Sequence, residues 1–476
     1  MKKLTATACT LLFALTGFTA ATAPAFAAEA DDIQALREQI SQLDQKLKIL
    51  ERKQELKDEA AATAAKAAPK ITVTDKVISI ASGDGANFLK FHALVQADAR
   101  WFFNQSGALT ANDAFLVRRA RIFLDGQFNT NTTFLLVPDF AGSAPTLIDA
   151  YVNQAFTPQF QLRAGRFREP VGLEQLQSDS VADFTERSFV SQIVPNRDIG
   201  LQLGGDLFNG TLNYAAGVFD GVPDGQNNGA VAGTVTNTDA DNNKDVAVRV
   251  FAQPFKNDSD SALHGLGFGV GATDGRQLPA SGLAGYKTEA QQSVFAYRAT
   301  SIIQGKTTRV SPQAYYYYGP FGLLGEYALS AIHARPSATG NEIELRNQAW
   351  QLEAGYVLTG EDAGYTGVVP KTVFDWNNGT WGAFEVVTRL DVLAIDKKAF
   401  APNPPGLSLA DPLANPSRIT DYGLGLNWYL SKTVRASLDF YHGTFDLPGG
   451  TTTANTTKPL LRNSENALVT RFQISF

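Results

Sequence analysis

From Phe88 to the last residue, Phe476, the chain is written in twos. Segments of about ten residues alternate apolar and polar side chains, and Gly, Asn, Asp and Pro separate them. In FLKFHALVQADARWF (residues 88–102), Leu89, Phe91, Ala93, Val95, Ala97, Ala99 and Trp101 share one face. Lys90, His92, Gln96, Asp98 and Arg100 take the other. A period of two belongs to a strand with two unlike faces and is incompatible with a helix, whose period is 3.6. The closing run ALVTRFQISF repeats the pattern. Phe476, Ile474, Phe472, Thr470 and Leu468 alternate with Ser475, Gln473, Arg471, Val469 and Ala467. A chain that stops on an aromatic inside such a run needs a partner for its last strand.

Seventeen segments of this kind can be drawn, among them QSVFAYRATSI and the Pro-broken TTFLLVPDF. A single-chain bacterial barrel has an even number of strands, so the expectation is about 16. The connections alternate between tight turns (FNGT, LSKTV) and long polar loops, as in a membrane barrel with two unlike rims. The expected class is therefore all-β: a transmembrane antiparallel β-barrel behind a short N-terminal coiled-coil helix. One long connection, residues 168–198, is too apolar to stand in water and is expected to fold back into the lumen.

The N-terminus supports export. MKK, a short apolar stretch and AFA (residues 25–27) form a secretory signal expected to be removed after Ala27. Cys9 lies inside it, which leaves no thiol for a disulfide, nucleophile or ligand. No later run is long and apolar enough for a spanning helix, although Phe and Tyr are abundant. The formal net charge of −6 becomes more negative without Lys2 and Lys3, which argues against nucleic acid as a partner.

Residues 28–59 read as a periplasmic coiled coil. Ile33, Leu36, Ile40, Leu43, Leu47 and Leu50 fall at the a and d positions of heptads. Ile at a with Leu at d prefers dimers in parallel coils. Residues 60–85 are expected to be a linker and 86–476 the barrel.

Catalysis finds no support. His92, His264, His333 and His442 are scattered, and no nucleophile elbow or phosphate loop occurs. GLGFGVG (residues 265–271) places Gly at every second position of a strand, not at a strand-to-helix turn. DADNNKD (residues 239–245) starts like a calcium loop but lacks its Gly and Glu. No cofactor or metal is expected.

The informative chemistry is basic. Between His92 and Asn243 every cationic residue is arginine: Arg100, Arg118, Arg119, Arg121, Arg163, Arg166, Arg168, Arg187 and Arg197. Arginine stays charged and offers a planar fork that fits carboxylate and phosphate oxygens. Arg119 and Arg121 share a face with Asp125 and Gln127, and Arg163 lies opposite Phe160, Leu162 and Ala164. An arginine in hydrocarbon costs roughly 2–4 kcal/mol, so these side chains should enter the lumen, as should Arg471. There they either attract anions or pair with Asp98, Asp125, Asp149 or Glu174.

FHALVQAD, FLVRRARIFLDG, IDAYV, LRAGRFREPVGLE, FTERSF, GLGLNWYL and ALVTRFQISF occur in this order from Phe88 to Phe476. This series resembles the phosphate-selective porin O and P family. The resemblance implies a 16-stranded trimeric barrel in the Gram-negative outer membrane, surrounded by lipid and lipopolysaccharide, that passes small anions, phosphate included. It carries over Arg118 and Arg119 from the R-R-A motif, Arg166 from G-R-F, Glu174 from G-L-E and Arg187 from E-R-S. Its helical preface would project into the periplasm, and its terminal Phe would be read by the barrel-insertion machinery. With Arg121, Arg163 and Arg168, these arginines form the expected anion-binding and pore-lining set. The chain departs from phosphate-specialised relatives at Leu94, where they have arginine, and at Gln175, where they have lysine. Only Arg276, Lys287 and Arg298 stand where their mouth is rich in cations. A modest anion preference follows. The competing readings are a general porin with little phosphate selectivity and a structural envelope protein that touches the cell wall through its coiled coil.

Overall fold

The computed structural model describes residues 26–75, 77–103, 111–228, 242–277, 282–402, 407–448 and 463–476. The expected signal, residues 1–27, lies almost entirely outside them. The chain divides into two compact units between Ala68 and Pro69.

The first unit holds one long helix, α1 (Phe26–Ala67). It runs through the Ala-rich stretch where a linker was expected from residue 60. Alanine is the best helix former, and the helix stops where Pro69 restricts the residue before it. Ile33, Leu36, Ile40, Leu43, Leu47 and Leu50 are all exposed, so the apolar seam is left uncovered by the described residues.

The second unit contains β1 (Lys70–Val73), β2 (Ile78–Ala81), β3 (Phe88–Phe103), β4 (Ala114–Phe128), β5 (Thr132–Asp139), β6 (Thr146–Thr157), β7 (Phe160–Arg168), β8 (Arg197–Leu207), β9 (Leu212–Phe219) and β10 (Asp245–Ala252). It continues with β11 (Leu266–Gln277), β12 (Tyr286–Lys287), β13 (Ser293–Phe295), β14 (Ile302–Tyr318), β15 (Phe321–Arg335), β16 (Ile343–Val357), β17 (Ala383–Ala394), β18 (Arg418–Tyr429), β19 (Val434–Asp446) and β20 (Ser464–Ser475). Sixteen of these, β3–β11 and β14–β20, pair antiparallel in sequence order. The ring closes where β20 pairs with β3, from Asn466↔Phe103 to Ser475↔Leu94. Phe476 extends the closure by exchanging both backbone hydrogen bonds with Ala93, at 2.7 and 3.0 Å. Beyond that point β2 takes over the same edge of β3, and β1 pairs with β2, so ordered sheet begins well before residue 86.

Closure satisfies the edges of all sixteen ring strands, which is what a bilayer demands. Alternation then sorts the faces. On β20, Phe472 and Ile474 point outward and are exposed, whereas Arg471 and Gln473 are buried inside. No described helix could cross a membrane; the strands make the outer apolar surface.

Seventeen candidate strands become 16 because QSVFAYRATSI is not a wall strand. Its Ser293–Phe295 forms β13, paired with β12 in a separate two-stranded hairpin, and only its last residue, Ile302, joins the wall as the start of β14. Its alternation arises because Phe295 packs into an interior cluster with Tyr286 and Phe400, not because one face meets lipid. TTFLLVPDF is a true strand. Pro138 sits near its end, beside a register shift that absorbs the missing N–H.

Residues 169–196 do turn inward, carrying the short helices α2 (Leu173–Leu176) and α3 (Val190–Ile193). Val171, Leu173, Phe184, Phe189, Val190, Ile193 and Val194 are fully buried. Irregular backbone at this depth must have its polar groups satisfied by protein, and the wall does so. Glu326 accepts from the N–H groups of Leu173 (2.7 Å) and Glu174 (3.1 Å), Asp391 from Phe189 (2.6 Å) and Asp439 from Thr185 (2.7 Å). Gln313 donates to the Val171 carbonyl (2.7 Å), Gln96 to Asp179 (3.0 Å), Gln473 to Ser180 (2.8 Å) and Asn427 to Asp183 (2.8 Å). One glycine of the β11 row, Gly271, gives the loop room to approach the wall. A Cβ on Gly271 would lie 2.4 Å from the Val171 carbonyl oxygen.

One connection at the rim of short turns was not foreseen. The part of residues 358–382 around Tyr365 also enters the lumen, where the Tyr365 hydroxyl donates to the Leu173 carbonyl (2.6 Å) and Gln177 donates to the Tyr365 carbonyl (2.9 Å). The inward loop is thus held from below as well as from the side.

Candidate functional site

The inward loop leaves a polar cavity of about 220 Å³ on its β4 side. Arg118, Arg119, Arg121 and Ile148 form the wall; Gln175, Asp179, Glu186, Arg187, Ser188, Ser191 and Arg197 come from the loop and its end. Five guanidinium groups therefore face two carboxylates.

Three of those arginines come from one strand within four residues, which strict alternation forbids. A register shift permits it. Gln96 of β3 pairs with Arg119 but Ala97 pairs with Val117, so Arg118 is the extra residue of a bulge. Outward-facing positions switch from Phe115 and Val117 to Ile122 across it. Arg118, Arg119 and Arg121 all turn inward as a result.

Two loop carboxylates organise them. Glu186 accepts from Arg118 through Nε (2.5 Å) and Nη2 (2.9 Å), from Arg100 (2.8 Å) and from Arg471 (3.2 Å). Asp179 is met by Arg187, Arg121, Arg168 (3.1 Å) and Arg119 (3.5 Å). Burial alone would push the Asp179 carboxyl up; Arg119, Arg187, Arg168 and Arg121 outweigh it and hold the carboxyl well below the usual range. Burial likewise opposes ionisation of Glu186, and Arg118 above all reverses the balance. Both are anions in the cavity.

The seven expected arginines divide into groups. Arg118, Arg119, Arg121 and Arg187 line the cavity. Arg168 reaches Asp179 and also donates to the Gln177 carbonyl (2.7 Å). Arg163 stands apart, over the rings of Tyr151 (4.6 Å) and Phe167 (5.3 Å). Arg166 is half-buried with no partner for its Nε. Among the described residues neither Arg163 nor Arg166 forms an ion pair, and neither lines the cavity. Arg471 is buried against Asp98 (2.7 Å) and Glu186.

Of the acids expected as partners, Asp98 and Asp149 pair with arginines, Asp149 with Arg197 at 3.0 Å. Asp125 instead meets His92 (2.9 Å), and Glu174 pairs with Arg389 (3.3 Å) on the opposite wall. The principal counter-ions, Asp179 and Glu186, were not foreseen, nor was Arg197 as a lining residue. The clue was present in FTERSF, where Glu186 directly precedes Arg187.

Below the cavity lies a vestibule of about 430 Å³, lined by His92, Leu94, Phe123, Asp125, Ser178, Ser180, residues 366–369 and the end of β20. Phe123 and Asp125 follow Arg121 down β4, so the two spaces share one wall. Among the described residues no group could hold a metal; the run 239–245 lies partly outside them, and its Asp245 approaches Arg309 (3.6 Å).

No curated protein matches the chain. The outer-membrane channel DcaP of Acinetobacter baumannii has a similar fold, with a TM-score of 0.50 at 9% identity over 82% of this chain and 98% of that one. Outer-membrane-expressed OmpT of Vibrio cholerae also gives 0.50 at 9% identity, over 86% and 100%. The profile of the phosphate-selective porin O and P family matches residues 90–476, the whole ring of strands but for its first two residues. The chain therefore belongs to the phosphate-selective porin O and P family: it is an outer-membrane channel of a Gram-negative bacterium and not an enzyme.

Proposed function

We propose that the channel passes small anions by diffusion, phosphate included, along the β4 side of the inward loop. One observation carries the reading: five guanidinium groups against two carboxylates line the polar cavity there. A confined site with excess positive charge concentrates anions and raises their entry rate. The anions' partners are Arg118, Arg119, Arg121 and Arg187 at the cavity, with Arg168 holding the loop. Arg163 and Arg166 contribute field from outside it. The contacts are charge-assisted but shared with internal carboxylates, which suits passage better than tight retention. Modest selectivity follows, consistent with Leu94 and Gln175 supplying no charge.

The functional unit is a homotrimer set in lipid and lipopolysaccharide, as the family implies. The exposed apolar seam of α1 supports association of copies through a coiled coil. The test is chloride current through single channels with phosphate titrated in. Block by phosphate at low concentration supports a phosphate site. An absence of block at any concentration reduces the protein to a general porin.

A further inference from the structure

Asp179 stands where an oxyanion would. Arg187 and Arg119 (3.5 Å) meet its Oδ1, while Arg121 and Arg168 (3.1 Å) meet its Oδ2. Carboxylate and phosphate are the two groups that the guanidinium fork fits. This carboxylate is no part of the wall. It rides on a turn of the inward loop, closed by the Val181 N–H donating to the Ser178 carbonyl (3.2 Å). Asp179 lines the upper cavity, whereas Ser178, Ser180 and Val181 of the same turn line the vestibule below. Arg121 and then Phe123 and Asp125 lead from one space to the other down β4. Asp179 thus sits at the septum between them.

We infer that Asp179 is a tethered counter-ion occupying an anion site at this septum, and that an oxyanion crosses by taking over its guanidinium partners. The inference rests on the anion-channel reading above. It makes Asp179 a selectivity-setting residue: the chain's own carboxylate keeps four arginines together without leaving them free to trap the passing ion. The competing role is a plain structural tie between loop and wall.

The experiment measures phosphate block of chloride current, with the reversal potential in a salt gradient, in the full-length wild-type channel and in Asp179→Asn. Removing the internal charge should lower the half-blocking phosphate concentration by at least about tenfold and raise anion over cation permeability. Asp179→Cys provides the second variant, because Cys9 is the chain's only other cysteine. An inserted Asp179→Cys channel should show the same tight block, and an anionic thiosulfonate reagent, which attaches a sulfonate, should return it toward wild type. A neutral reagent should not. If the wild type is anion-selective but both variants keep or raise the half-blocking concentration, Asp179 is only a tie and the inference falls alone. A cation-selective wild type removes the anion reading and this inference with it.

Discussion

Glu326→Ala tests the physical basis of the constriction. Glu326 sits on β15, and its two oxygens accept from the backbone N–H groups of Leu173 and Glu174 and from the Ser311 hydroxyl (2.7 Å). Truncation leaves two buried loop N–H groups without acceptors, and each costs ~1–3 kcal/mol. The start of the inward loop therefore loses ~2–6 kcal/mol of docking, which raises its undocked population by ~30-fold or more. The barrel ladder on either side is untouched, so global unfolding should change far less. Hydrogen exchange of a peptide covering residues 173–178 reads the local term directly. Its amides should exchange faster by that factor, while peptides from β16 and β18 keep their protection. Single-channel traces should show added transitions to larger conductance. Unchanged exchange at Leu173 and Glu174 would refute the claim that wall carboxylates hold the loop in the lumen.

Further outcomes follow from the same contacts. Arg119→Ala and Arg121→Ala should each lower anion over cation permeability severalfold, read from reversal potentials, whereas Arg163→Ala, outside the cavity, should change it far less. Gly271→Val drives a side chain into the Val171 backbone and should destabilise loop docking by ~1–3 kcal/mol. Gly325→Val, whose nearest neighbour would be 3.7 Å away, should be nearly neutral in thermal unfolding. Burial opposes ionisation of Asp179 but its arginines lower the carboxyl below its usual value, so its stabilisation is present in full above about pH 4 and lost as pH falls below that. Loop docking, followed by conductance noise, should be flat from neutral pH to about pH 5 and fail only in stronger acid.

The sequence was most legible where one period governs a whole element. Alternation located the wall strands and closed β20 on β3, and the apolar content of residues 168–198 sent that loop inward. Alternation misled at QSVFAYRATSI, because a short hairpin packed inside the barrel also presents one apolar face. It was silent on Arg118, since a bulge is set by the neighbouring strand and not by the residues that carry it. The counter-ions Asp179 and Glu186 lie far along the chain from Arg118 and Arg121, and only the folded loop brings them together. The inward course of the chain around Tyr365 depends on two tertiary hydrogen bonds with Gln177 and Leu173, which leave no periodic trace.

The reversal potential of the wild-type channel in a planar bilayer, under a potassium chloride gradient, tests the central claim most directly. An excess of guanidinium groups along β4 predicts a potential displaced toward that of chloride. A potential displaced toward that of potassium would contradict it.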